Sequence, residues 1–337
     1  MTALMPAEWE PHAATWLAWP HEKSDWPGRF EPIPWVYAEV VRHLSTGERV
    51  RILVEDDKHE AGAKKILKRA GVEPGRVDFF RCKTDRSWTR DTLPSFVRAG
   101  GEVALCSWKF NGWAKYPNHK LDAKVGPWLA KKLKRELRRP GVVLEGGSID
   151  VNGRGTLLTT EECLLSTVQE RNPGFSREDY ERLFAAELGV RKVLWLGEGI
   201  VGDDTHGHVD DLARFVDPRT VVVCVEDDPL DDNFYRLRDN SRRLETMTDQ
   251  DGQPLRVLPL PMPAPVVFDG QRLPASYANF YVGNAAVIVP TFNDPRDRVA
   301  LSRLAELFPT RKVVGIHCLE LVWGLGTLHC MTQQEPA

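Results

Sequence analysis

One local pattern occurs four times along this chain, and it limits the folds that the chain can adopt. In each copy, two short apolar runs flank a tight turn, which is typical of a β-hairpin. The copies read SFVRAGGEVALCSW, SIDVNGRGTLLTT, LARFVDPRTVVVCV and NFYVGNAAVIVPTF. Their turns lie roughly 55–65 residues apart, so the sequence predicts an internal structural repeat.

Helices and further strands are predicted between the hairpins. Leu121–Arg139 has apolar residues at helical spacing, and Ser176 precedes Asp179 by three residues, close to a capping box. A third amphipathic segment, RDRVALSRLAELFP, ends at Pro309. A short β-like run follows each helix: VVLEGG, KVLWLG and KVVGIH. The predicted unit is therefore hairpin, helix and strand.

The two ends of the chain complete this scheme. AATWLAWP and VRILVED are predicted strands near the N-terminus, and KVVGIHCLELVWGLGTLHCMTQQ is a closing copy at the C-terminus. If the units surround an axis, the first and last must meet, so we expect an ordered C-terminus. We interpret LPLPMPAPVVFDGQRLP as a long surface loop and find no linker. One domain covering residues 1–337 is expected.

Composition and charge exclude some classes of function. A net charge of -3 gives no reason to expect nucleic acid or an anionic membrane as partner. The six cysteines form no C-x-x-C pair and no disulfide framework. The N-terminus does not resemble a signal peptide, and no apolar run reaches the roughly 20 residues of a membrane span. We expect a reduced, cytoplasmic protein.

Polar residues that could support catalysis lie in four stretches beside apolar runs. SWTRDTLPSF contains Trp88 and Asp91, and LEGGSID places Glu145 directly after an apolar run. The other two stretches are GDDTHGHVDDLARF and GLGTLHC. A buried carboxylate is costly unless it has a partner. Taken singly, Asp91 and Glu145 are also compatible with ion pairs or turns, and Trp88 with core packing.

The third stretch allows two interpretations. His206, His208 and Asp210 alternate, so an extended segment would present them on one face. They could ligate a metal, as in H-x-H-x-D metallohydrolases, with help from His317 or His329. Alternatively, His208 is a general acid and base, and Asp210 orients it or binds substrate. Since no second cluster has metal-ligand spacing, we expect no metal and no other cofactor.

Cys330 decides between these interpretations. A free cysteine is usually a small buried residue, which we expect for Cys82, Cys106, Cys163 and Cys224. The glycines before Cys330 favour close approach to a ligand, so Cys330 is a candidate nucleophile. Nearby carboxylates raise the pKa of a thiol, which suits catalysis only if the substrate is a cation. A guanidinium offers five N–H donors to carboxylates, so the pattern favours guanidinium hydrolysis over mere binding of a polyamine-like cation.

Six motifs carry a family resemblance that runs from the first decade of the sequence to the last. They are MPAEWEPHAATWLAWP, WTRDTLPSF, LEGGSIDVNGRGTLLTTEECLL, GDDTHGHVDDLARF, YANFYVGNAAVIVPTFND and GTLHCMTQQ. The chain resembles the agmatine deiminase family, also called the bacterial-type peptidyl-arginine deiminase family. This resemblance implies a pentein α/β-propeller, five ββαβ-type units around a pseudo-fivefold axis, with a metal-free mechanism. It also implies a possible homodimer.

The resemblance assigns expected roles to seven residues. The nucleophile is Cys330, the G-H-V-D motif supplies its general acid and base, and three acids surround the guanidinium. A tryptophan lines the substrate slot, and a further acid lies near the distal amine of the substrate. The positions are Cys330, His208, Asp210, Asp91, Glu145, Trp88 and Asp204.

The implied reaction converts the guanidinium of agmatine, through an amidino-cysteine intermediate, into N-carbamoylputrescine and ammonia, a step of putrescine and polyamine biosynthesis. The acid-rich GDDTHGHVDD favours a dication such as agmatine, while free arginine or peptidyl-arginine stays an alternative. Leu325, Thr327 and Asp211 depart from the G-G-G-N-I-H-C and G-H-V-D-N that many members carry, which leaves substrate recognition open. His206 receives no role.

Overall fold

The computed structural model describes residues 3–337, and five of its β-sheets share one plan. In each, an antiparallel pair is extended by a parallel strand, and one sheet has a second parallel strand beyond it. The sheets are β1 (His12–Ala18), β2 (Arg49–Val54), β3 (Val77–Arg81) and β18 (Gln333–Pro336); β4 (Ser95–Ala99), β5 (Glu102–Cys106) and β6 (Leu137–Arg138); β7 (Asp150–Val151), β8 (Thr156–Thr160) and β9 (Lys192–Leu196); β10 (Ala213–Phe215), β11 (Thr220–Val225) and β12 (Arg256–Pro261); β15 (Tyr281–Val282), β16 (Ala286–Thr291) and β17 (Lys312–His317). A separate hairpin joins β13 (Val267–Phe268) to β14 (Gln271–Arg272).

Helices connect the strands of each sheet and the sheets to one another, which gives a mixed α/β fold. They are α1 (Ile33–Leu44), α2 (Asp57–Arg69), α3 (Thr89–Thr92), α4 (Val125–Leu133), α5 (Glu161–Leu165), α6 (Arg177–Leu188), α7 (Phe234–Thr246) and α8 (Pro295–Leu307). Within the described chain, no helix combines the length and the apolar character that crossing a bilayer requires.

The two ends of the chain meet in one sheet, as the repeat pattern predicted. Strand β18 pairs antiparallel with β1, so that Pro336 lies opposite His12 and Gln333 lies opposite Trp16. The indole of Trp16 donates to the Glu335 carboxylate at 2.8 Å. This pairing orders the C-terminal residues that follow Cys330.

All four predicted hairpins are confirmed as antiparallel pairs, and so is the capping box that begins α6. The Ser176 hydroxyl accepts from the Asp179 backbone, while the Asp179 carboxylate accepts from the Ser176 backbone. Local sequence therefore determines these elements, because turn chemistry and cap chemistry act within a few residues.

Two predictions around α4 are wrong. The helix does not reach Arg139, because Lys134 adopts a left-handed conformation with φ +54° and ends it after Leu133. The following residues form β6, which supplies the parallel strand of this sheet. VVLEGG is therefore not a strand; its one ladder contact is a bridge between Val143 and Lys109.

The prediction of a loop in the proline-rich segment is also wrong. Its first residues belong to β12, and the β13–β14 hairpin follows. Strand β12 lies at the edge of its sheet and pairs with β11 alone. An edge strand tolerates proline because one row of its N–H groups has no partner strand, which allows Pro259 and Pro261 here.

Glu8 connects distant parts of the fold. Its side chain lies 2.9 Å from the guanidinium of Arg214, 3.1 Å from that of Arg90 and 2.8 Å from Nε2 of His329. It also accepts from the backbone N–H of Val282 at 2.8 Å. Burial alone would raise the pKa of Glu8, but Arg214, His329 and Arg90 hold it well below its usual value.

We predict that Glu8→Gln destabilises the protein by about 3 kcal/mol or more, because it leaves buried cations without their counter-charge. Because the pKa of Glu8 is lower in the folded state, its contribution is complete above the unfolded value of about 4.3 and is lost as pH falls further. The difference in urea midpoint between wild type and variant should therefore shrink in acid.

Asp78→Asn is the matched control, since Asp78 pairs with Arg49 at the surface. Exposed pairs contribute roughly 0–1 kcal/mol, so this variant should unfold nearly as the wild type does. Equal effects of the two substitutions would contradict the role given to Glu8.

Candidate active site

Four of the seven predicted site residues line one cavity of about 300 Å³. They are Trp88, Asp91, Asp204 and Cys330. The other three lie beside this wall: His208 contacts Asp91, Asp210 contacts Cys330, and Glu145 contacts His208. A volume of this size suits a small molecule.

The site residues lie at equivalent positions of the five sheets. In four sheets, the segment that enters the first strand of the hairpin carries a site residue, and the fifth contribution comes from the segment entering β18. These segments contain Asp91 in α3, Glu145 before the turn Gly146–Ser148, His208 and Asp210 around the turn Val209–Asp211, Asn279 before β15, and Cys330.

Cys330 is 8% exposed, and its sulfur faces the cavity. Its Sγ lies 3.8 Å from Oδ2 of Asp210 and accepts a hydrogen bond from Nδ2 of Asn279 at 3.1 Å. Gly326 passes so close that a Cβ there would lie 3.3 Å from the sulfur. Burial, followed by the charges of Asp210, Asp211 and Asp91, raises the pKa of the Cys330 thiol well above its usual value.

His208 lies between two carboxylates. Its Nδ1 is 3.8 Å from Asp91, and its Nε2 is 3.7 Å from Glu145. Burial disfavours the imidazolium, but Asp91, Cys163 and Glu145 together raise the pKa of His208 well above its usual value. The ring is therefore suited to hold a proton near neutral pH, as a general acid requires.

Glu145 does not line the cavity. Nε of Arg171 lies 3.1 and 3.3 Å from its two oxygens, and both side chains are fully buried. Burial alone would raise the pKa of Glu145, but Arg171 and His208 lower it to about 2. The Glu145 carboxylate therefore places a negative charge beside Nε2 of His208 and favours the protonated ring.

The turn that follows Glu145 requires a glycine at position 147, the second glycine of LEGGSID, because polar side chains surround it closely. A Cβ on Gly147 would lie 2.6 Å from Nδ1 of His208 and 3.0 Å from oxygens of both Asp91 and Asp210. The backbone N–H of Gly147 also donates to Asp91 at 2.8 Å. Any side chain at this position would push the three polar groups apart.

Asp210 is held from behind by His329. Nδ1 of His329 lies 2.7 Å from Oδ2 of Asp210, and its Nε2 faces Glu8. Burial would raise the pKa of Asp210, but His329 and then His208 lower it, so the carboxylate is an anion. Its Oδ1 is buried without a hydrogen-bond partner. A cationic ligand with N–H donors would satisfy this oxygen.

The far end of the cavity carries acids that already have partners. Asp204 is ion-paired with Lys115 and accepts from the Tyr116 hydroxyl at 2.7 Å. Asp25 is ion-paired with Arg86 and accepts from the Trp88 indole at 3.1 Å, and burial raises its pKa to about 6.

The predicted alternative, a metal held by His206, His208 and Asp210, does not match the geometry of residues 3–337. His206 has φ +64°, and its Nε2 lies 3.1 Å from the hydroxyl of Ser166. Two other buried trios have converging ligand atoms: Glu145, Cys163 and His208, and Asp210, Asp211 and Cys330. Both trios belong to the cluster just described, where Arg171 and Asn279 occupy some of their atoms.

Sequence reasoning missed several residues of this site. Asn279 lies within the motif YANFYVGN, and Glu8 within MPAEWEPH, but neither has a local pattern that indicates a role. Arg171 pairs with Glu145, but in the sequence STVQER it is an ordinary charged residue whose spacing from other motifs indicates no role. Their positions follow from long-range packing, which local patterns do not report.

Comparisons with known proteins identify the family to which this chain belongs. Residues 4–336 match the family model described as Porphyromonas-type peptidyl-arginine deiminase. The agmatine deiminase of Ectopseudomonas mendocina is 35% identical and is aligned over 99% of this chain and 95% of its own. A structure titled as the agmatine deiminase of Enterococcus faecalis catalyzing its reaction is 33% identical, with a TM-score of 0.92 over 99% and 96% of the two chains.

A second solved structure, C. jejuni agmatine deiminase with substrate bound, is 32% identical and has a TM-score of 0.90 over 100% of this chain and 97% of the other. The family match and the curated relatives each extend over nearly the whole sequence. The chain therefore belongs to the Porphyromonas-type peptidyl-arginine deiminase family.

Proposed function

We propose that this protein is a hydrolase that converts agmatine into N-carbamoylputrescine and ammonia, which would supply a precursor of putrescine. The observation that supports this most is the Cys330 thiol beside buried acids, with one oxygen of Asp210 unpartnered. Buried carboxylates around a nucleophile favour a cationic substrate. The relatives that carry the name agmatine deiminase are similar along nearly the entire chain.

In the first half-reaction, Asp91 and Asp210 accept N–H bonds from the substrate guanidinium. The added positive charge lowers the pKa of the Cys330 thiol, which burial and neighbouring acids otherwise raise, and the thiol loses its proton to solvent. The thiolate attacks the central carbon and forms a C–S bond. His208 gives its proton to one NH2 group, the C–N bond breaks, and ammonia leaves.

In the second half-reaction, neutral His208 removes a proton from an entering water. The resulting hydroxide attacks the amidino carbon. The C–S bond then breaks to restore the thiolate, and the hydroxyl proton is lost to solvent as the ureido carbonyl forms. His208 thus acts in both steps. Glu145 takes part by holding the His208 ring, because its carboxylate is paired with Arg171 and is not exposed to the cavity.

The remaining part of the substrate would lie between Trp88 and the far acids. Asp204, which lines the cavity, would bind the distal ammonium of agmatine, and Lys115 would compete for the same carboxylate. Leu325 lines the cavity with φ +66°, a backbone conformation that favours glycine. Free arginine and peptidyl-arginine are the alternatives that a substrate comparison would separate.

We also propose a finer description of the fold. The five sheets would be the blades of a pentein α/β-propeller around a pseudo-fivefold axis, in a single catalytic domain of residues 1–337. The support is that a segment entering each of the five sheets carries a residue of the candidate site, and that β18 joins the sheet of β1. A homodimer is a further expectation that sedimentation would test.

Replacing the nucleophile gives the first functional prediction. Cys330→Ser should lower kcat on agmatine by about ten-thousand-fold or more, because the covalent intermediate can no longer form. Cys82→Ser is the control and should keep wild-type turnover, since Cys82 lies outside the cavity. Ureido product should be measured with a chelator present, using agmatine, arginine and a peptidyl-arginine mimic side by side.

Near-wild-type turnover in Cys330→Ser would rule out the proposed nucleophile. Loss of wild-type turnover with chelator, restored by added metal, would instead favour the metallohydrolase alternative. Turnover of arginine or of the peptide mimic without agmatine would keep the chemistry and reject agmatine as the substrate.

The competition at Asp204 gives a second prediction. Lys115→Met should lower the KM for agmatine by about threefold, because it frees a carboxylate that a partly exposed lysine now neutralises. Asp204→Asn should raise that KM by about tenfold. Both variants should keep kcat within about twofold. An unchanged KM in Asp204→Asn would show that the distal ammonium binds elsewhere.

A further inference from the structure

The side chain of Asn279 contacts the reacting sulfur, and the mechanism above gives it no role. Asn279 is fully buried just before β15, and its Nδ2 donates to Sγ of Cys330 at 3.1 Å. Among the described residues, this amide is the one side-chain N–H group within hydrogen-bond distance of the sulfur. The thiol itself faces Asp210, which can only accept.

Neighbouring groups fix the orientation of this amide. The Thr327 hydroxyl donates to Oδ1 of Asn279 at 2.7 Å, and the backbone N–H of His329 donates to the same oxygen at 2.9 Å. Nδ2 also donates to Oδ1 of Asp211 at 2.9 Å. A flipped amide would face donors with its N–H group and an acceptor with its oxygen, so the amino group is held toward the sulfur.

Two of the three sequence departures noted near the site, Asp211 and Thr327, are therefore partners of one residue. The Thr327 hydroxyl donates to the amide oxygen of Asn279, and the Asp211 carboxyl accepts from the amide nitrogen. Asp211 and Thr327 form one buried network with Asn279 and Cys330, and neither of them lines the cavity. This network bears on the nucleophile and not on the distal group of the substrate.

We propose that Asn279 is a further catalytic residue, whose amide N–H stabilises the Cys330 thiolate and is oriented by Asp211 and Thr327. This inference rests on the proposed function, because a thiolate is needed there only if Cys330 is the nucleophile. The thiolate occurs twice, once before it attacks the guanidinium carbon and once as it leaves that carbon. A fixed donor lowers the energy of both states without having to reorganise.

The test measures the thiolate without any guanidine substrate. Iodoacetamide alkylation of Cys330 is followed by peptide mass spectrometry across a range of pH. A hydrogen bond to a charged group has a strength that corresponds to about one pKa unit. Asn279→Ala should therefore shift the alkylation profile upward by about one unit, and the rate at a fixed pH below the midpoint should fall about tenfold.

Asn284→Ala is the matched control. Asn284 lies in the same hairpin and bonds the backbone of His12, but it does not contact the sulfur. It should change thermal stability and leave the alkylation profile of Cys330 unaltered. A wild-type profile in Asn279→Ala, or equal shifts in both variants, would overturn the proposal.

Two milder changes keep the test decisive if Asn279→Ala does not fold. Thr327→Val removes the hydroxyl donor and should shift the profile upward, whereas Thr327→Ser keeps the donor and should restore it. Asp211→Asn keeps an acceptor for the amide of Asn279, and burial and Asp210 already raise the pKa of Asp211 well above its usual value, so the profile should stay close to that of the wild type. Identical profiles for the valine and serine variants would overturn the proposal. Because no substrate is present, failure here is distinct from failure of agmatine turnover.

Discussion

The fold depends on one buried carboxylate. Glu8, near the N-terminus, bonds Arg90 before the second sheet, Arg214 in the fourth, the backbone of Val282 in the fifth and His329, which precedes Cys330. A charge in this position is stable only while all of these partners stay in place. Glu8 thus connects sheet assembly to the active site, because His329 in turn holds Asp210 next to Cys330.

The active site concentrates negative charge against a thiol, and this arrangement explains its chemistry. Burial raises the pKa of Asp91, and burial together with neighbouring acids raises the pKa of the Cys330 thiol well above its usual value. A guanidinium reverses both tendencies at once, since it supplies charge and N–H donors. In the proposed mechanism, substrate binding and activation of the nucleophile are therefore one event, and ligands without a positive charge do not activate the thiol.

The sequence predicted elements that depend on neighbouring residues, but it did not predict contacts between residues that are far apart in the chain. The four hairpins and the Ser176 cap follow from turn and cap chemistry, and the C-terminal closure follows from the repeat. The end of α4 at Lys134 was missed because a lysine in a left-handed conformation carries no glycine signal. The motifs named the acids, His208 and Cys330, but they could not show that Glu145 is buried against Arg171 and does not line the cavity. Glu8 and His329 are 321 residues apart, a contact that only the assembled fold reveals.

The central claim is that Cys330 forms a covalent amidino intermediate with a guanidine. The most direct measurement is the intact mass of the enzyme, acid-quenched during turnover of agmatine, followed by peptide mapping. The account predicts an amidino adduct on Cys330 that appears during turnover, disappears when agmatine is exhausted and is absent in Cys330→Ser. Sustained turnover with unmodified Cys330 at every quench time, or an adduct on another residue, would contradict it.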